Sequence, residues 1–169
     1  MKLILAAISI CFSVSSFGFQ TGHLTGQGRY KDTDGNRGRY DIEKHITRND
    51  DGTMTIDTTM ITEIGESHSW SMVISPEEDG FFTVLSNGEE GREVIGDGVC
   101  FKSPHGGGHH DGEHHAQAST HHPKICTYTT KHHDADVTVS LKIGYHGVHY
   151  VGKMVKGDTT VAWKQHLHR

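Results

Sequence analysis

Apolar residues along most of this chain recur at every second position, and short runs of Gly, Asn and Asp separate one alternating stretch from the next. A period of two puts successive side chains on opposite faces of an extended strand, so the pattern predicts β structure with one wet face and no amphipathic helix. Across residues 39–47, Tyr40, Ile42 and Ile46 share a face opposite Asp41, Glu43 and His45. Met54, Ile56, Thr58 and Met60 form the next row, and Trp70, Met72 and Ile74 follow after a turn at 63–66. Val137, Val139, Leu141 and Ile143 alternate with Thr138, Ser140 and Lys142. Further strands are expected at 23–30, 81–85, 92–101, 125–130, 148–155 and 161–167, with Asn87-Gly88 as a hairpin signal.

About eight to ten short strands joined by short turns describe an all-β fold. The expectation is an antiparallel meander closed into a single barrel, lipocalin-like in general shape, or else a sandwich. The short connections favour the barrel. Its start reads Gly26-Gln27-Gly28-Arg29-Tyr30, where a Gly-x-Trp opening would have a tryptophan. Asp32, Asp34, Asn36 and Glu43 match positions 1, 3, 5 and 12 of a calcium loop, but Arg37 stands where the loop needs glycine. A hairpin turn accounts for them better.

Residues 1–20 read as a signal peptide. Lys2 supplies the positive start, residues 3–14 are apolar but too short to span a bilayer, and small residues follow at Ser15, Ser16 and Gly18. Removal of that segment takes Cys11 with it and leaves Cys100 and Cys126 in an oxidising compartment, periplasmic or secreted. A Cys100–Cys126 disulfide is therefore expected. The other reading makes the two thiolates metal ligands. Residues 21–169 then form a single β domain, with no membrane insertion expected of the mature form. A formal charge of −5 argues against nucleic acid as a partner.

One connection breaks the pattern. Residues 103–122 carry His105, His109, His110, His114, His115, His121 and His122 on a polar, glycine-rich backbone with no apolar periodicity. Imidazole is the commonest protein ligand for transition metals, so this insert points to zinc, copper or nickel as bound ions. His166 and His168 lie two apart on one strand and project from the same face, and His149 on the preceding strand can join them if the register sets it opposite. His45 and His68 look like isolated surface positions.

No nucleophile elbow, metalloprotease helix or phosphate loop occurs, so the sequence supports no catalytic assignment. Two functions lead, ahead of a surface-interaction module whose histidines bind partners only when protonated. One is an exported, non-enzymatic protein that captures or buffers a transition metal through the histidine loop. The other is a barrel whose interior binds a small molecule, with the histidine loop accessory or neutral.

Overall fold

The computed structural model describes residues 21–86, 92–103 and 123–169. The expected signal peptide, the Asn87-Gly88 turn and the seven insert histidines (His105, His109, His110, His114, His115, His121, His122) lie outside the described residues. The ten strands are β1 (Gly22–Asp32), β2 (Arg37–Arg48), β3 (Met54–Thr62), β4 (Ser67–Pro76), β5 (Phe81–Leu85), β6 (Val94–Lys102), β7 (Lys124–His132), β8 (Ala135–Ile143), β9 (Val148–Lys156) and β10 (Thr159–His168). Each pairs antiparallel with its sequence neighbour, and β1 pairs with β10 to close the barrel. The single-barrel expectation holds over the sandwich.

Alternation decides which residues line the inside. The buried set includes Leu24, Ile42, Ile46, Met54, Ile56, Ile74, Phe82, Val84, Val139, Leu141, Val148 and Leu167. Four inward aromatics each face a glycine across the ladder: Tyr40 on Gly28, Tyr30 on Gly38, Phe82 on Gly98 and Trp163 on Gly152. A Cβ at any of these glycines would overlap the opposing ring. The rings thus lie flat over neighbouring backbone, which explains why the first strand is broken by glycine at a point where the pattern alone reads as weak.

At the first turn, Asn36 donates from its backbone N–H and from Nδ2 to the two carboxylate oxygens of Asp32, at 2.8 and 2.7 Å. Its neighbour Gly35 adopts φ 88°, the left-handed conformation such a turn needs. The side-chain bond to Asn36 holds the Asp32 carboxyl below its usual range. Glu43 lies far along β2, so this is a hairpin turn and not a calcium loop.

Cys100 and Cys126 are directly opposed on β6 and β7, buried, and joined by a disulfide. The thiolate-ligand reading is thereby excluded. The bond faces the core two residues inside the strand ends that flank the insert. Because the chain is a meander, these ends share one rim of the barrel with Thr21 and Arg169. β5 pairs with only Val73–Pro76 of β4, and Trp70 on the uncovered half of β4 is 39% exposed although it points inward.

Two stability effects are expected. Replacing both cysteines with serine lowers unfolding free energy in urea by about 3–4 kcal/mol, the chain-entropy value for a loop of this size. Gly152→Ala pushes against Trp163 and costs about 1–3 kcal/mol, read as a lower urea midpoint together with an altered near-ultraviolet tryptophan signal.

Candidate functional site: the barrel interior and its rim

Lys44 has the same parity on β2 as Tyr40, Ile42 and Ile46, so the strand that buries them buries it too. It is 7% exposed. Its ammonium donates to Thr58 Oγ1 at 3.0 Å and lies 5.1 Å from the centre of the Tyr150 ring and 5.7 Å from that of Trp70. The two ring faces favour a cation but supply no counter-charge. Among the described residues no carboxylate makes an ion pair with it. Burial alone pulls its pKa down from the usual 10.5 to about 8.

Other polar atoms inside the barrel also have capacity to spare. Gln165 donates from Nε2 to the Tyr40 hydroxyl at 3.1 Å, while its Oε1 is buried without a partner among the described residues. Gln165 stands opposite Tyr150 on the ladder, so Tyr40, Gln165, Tyr150 and Lys44 form a polar seam across an otherwise apolar interior. Burial pushes the Tyr150 and Tyr128 phenols well above their usual range, and at Tyr150 the nearby Tyr128 adds to it. Burial raises Tyr40 as well, partly opposed by the bond from Gln165.

A cleft of about 180 Å³ opens at the rim that carries Thr21 and Arg169. Leu24, Ile46, Leu141, Ile143 and Val148 make its walls apolar, and Tyr150 lines it at depth. Leu24 is the direct ladder partner of Lys44. Lys44 does not itself line the cleft; its ammonium lies 5.1 Å from the centre of the Tyr150 ring, which does.

The outer wall formed by β2, β1, β10 and β9 carries His45, His149, His166 and His168. His149 and His166 are direct ladder partners with ring centres 3.8 Å apart, and His168 lies 4.3 Å from His166. The register therefore does bring His149, His166 and His168 together. Partial desolvation, then the nearby His149 and His168, lowers the pKa of His166. His45, read as isolated, is not. It opposes His23 on β1, and both rings reach Glu43. His68 lies 3.9 Å from Glu66, and His132 and His133 contact each other at the β7–β8 turn.

The same wall changes character further from this rim. Arg39, Arg29 and Lys164 form one cross-strand row, with Arg37 and Lys31 in the next. The acidic total thus conceals a local cationic field.

Lys44 was legible from parity, since it sits at an inward position of an alternating strand, yet a lysine there reads as a surface residue when composition is weighed first. The His23–His45 pair follows from centring the β1–β2 hairpin on the Asp32–Asn36 turn. Nothing local to either histidine reveals it.

No family model matches the chain, and no curated protein matches it. Several solved structures share its fold. The S-type phycobiliprotein lyase CPES from Guillardia theta superposes with a TM-score of 0.62 at 9% identity, covering 89% of this chain and 88% of its own. Rv2717c from M. tuberculosis gives 0.61 at 14% identity, covering 88% of this chain and 91% of its own. At such identities the likeness is one of barrel shape.

The depressed Lys44 pKa has a sign that can be checked. Stability from a base with a lowered folded pKa is fully present above its unfolded value, here 10.5, and is lost as pH falls through about 8. The charged amine therefore handicaps the folded barrel at neutral pH, by about 3 kcal/mol for a shift of this size. Lys44→Met is expected to be more stable than the parent at pH 7 by up to about that amount. The gap should close as both proteins are denatured at successive pH values from 8 toward 10.5.

Proposed function

We propose that this protein is an exported binder of a small amphipathic anion, held in the barrel interior with its acidic group against Lys44. The observation that carries the reading is that amine: buried, bonded to one neutral hydroxyl, and without a carboxylate partner among the described residues. An unpaired charge inside an apolar barrel is costly for stability, and a ligand anion is the counter-charge that offsets it. The apolar throat suits a short hydrocarbon or aromatic body, and the unpartnered Gln165 Oε1 is an acceptor for a ligand hydroxyl or amide. The buried disulfide fits an oxidising compartment and so supports export. The fold likeness to other barrels supports the architecture on which the reading rests.

A second reading, capture of zinc, copper or nickel, is favoured among the described residues by the gathering of His149, His166 and His168 on one patch of wall. It does not use the interior.

Octanoate and 1-octanol separate charge recognition from mere apolar binding. A charge-assisted hydrogen bond contributes about 1.5–3 kcal/mol. Calorimetric titration at pH 7 should thus show octanoate binding at least about tenfold more tightly than the alcohol. Lys44→Met should abolish that preference, and raising the pH from 7 to 9 should weaken octanoate alone, because only the protonated amine pairs with a carboxylate. Equal affinity for acid and alcohol, or no heat from either, would remove Lys44 from a binding role.

A further inference from the structure

On the outer wall, β1 and β2 bring three potential ligands, spread over 22 positions of sequence, into one cluster. His23 Nε2 lies 2.6 Å from Glu43 Oε1, and His45 Nε2 lies 3.0 Å from the same oxygen. The two imidazoles are direct ladder partners, stacked with ring centres 4.3 Å apart and planes 5° from parallel. Stacking presents both Nε2 atoms to one side, where the carboxylate already sits. The three ligand atoms all lie within 4.8 Å of one another.

We propose that His23, Glu43 and His45 form a site for a divalent transition-metal ion of the zinc, copper or nickel type, open to solvent on the barrel wall.

Two imidazole nitrogens and one carboxylate oxygen are the donor set such ions favour over calcium or magnesium, which prefer oxygen alone. Tetrahedral coordination with bonds of about 2.1 Å puts neighbouring ligand atoms about 3.4 Å apart. The observed 2.6 and 3.0 Å separations therefore need to open by less than about 1 Å. The side chains can do this, being 46–58% exposed. Their backbones are fixed by consecutive ladder pairs, so little ordering entropy opposes binding. Water completes the coordination, as at sites that leave one position open. In the metal-free form each ring donates Nε2–H to Glu43; on binding, that proton moves to Nδ1 and the freed Nε2 lone pair ligates.

The site also has a neighbour. Thr25 on β1 is the ladder partner of both Glu43 and His168, so the His149, His166 and His168 group begins two strands away, about 10 Å across the wall. Five imidazoles thus occupy one face next to the rim. The proposal stands apart from the interior reading and from that second group.

Zinc chloride added to the full-length mature protein, followed by 15N resonances of individual histidine rings, resolves each site from the insert. The Nε2 signals of His23 and His45 should move together and saturate with a single affinity. Glu43→Gln, an exposed change that leaves the barrel intact, should weaken that affinity at least tenfold while the response of His166 and His168 stays as in the parent. His45→Asn should abolish the shift at His23. Unmoved His23 and His45 signals at millimolar zinc, or the same affinity with Glu43→Gln, would overturn the proposal.

Discussion

Pairing of β1 with β10, from Thr25 opposite His168 to Asp32 opposite Val161, turns an open ten-strand meander into a cylinder. Closure removes two sheet edges and obliges every strand to choose an inside and an outside. It also brings the start and the end of the chain together, and so it completes the rim cleft and sets the two histidine groups side by side. The rim cleft has residues of β1, β2, β8 and β9 in its wall, with Arg169 just beyond the end of β10, and the outer histidines occupy the strands on either side of the seam. Without that seam His168 would lie on one edge strand of a sheet and His23 on the other.

Inside the cylinder, packing and polarity pull against each other. Aromatic rings laid over facing glycines fill much of the interior with large side chains at low volume cost. The same parity that buries them also buries Lys44, which Thr58 satisfies only in part. An apolar residue at this position would give a more stable barrel. A residue held there at the expense of stability is the pattern on which the proposed ligand site rests.

Much of the fold was readable from period-two alternation, because strands with one wet face leave that signature wherever turns are short. All ten strand segments lie where the pattern put them, within a few residues at their ends. The disulfide was readable from cysteine count and compartment. The binding features were less so. Lys44 has a visible parity but a misleading chemistry, since lysine is normally a surface residue. His149, His166 and His168 were recognisable as a group only on condition of register, which the two-residue β9–β10 turn then met. His23 and His45 sit 22 positions apart with no local motif, so only the β1–β2 ladder joins them to Glu43.

By itself the sequence determined the strands, the parity of each residue along them and the residue types available for chemistry, because these follow from a two-residue period and from side-chain identity. Tertiary structure decided which parities became interior and which histidines became neighbours. Those outcomes depend on register and on closure of β1 against β10, and hydrogen bonds between distant strands set both. A lysine at an inward position acquires a shifted pKa only once a cylinder has closed around it and excluded the water that would have solvated its charge.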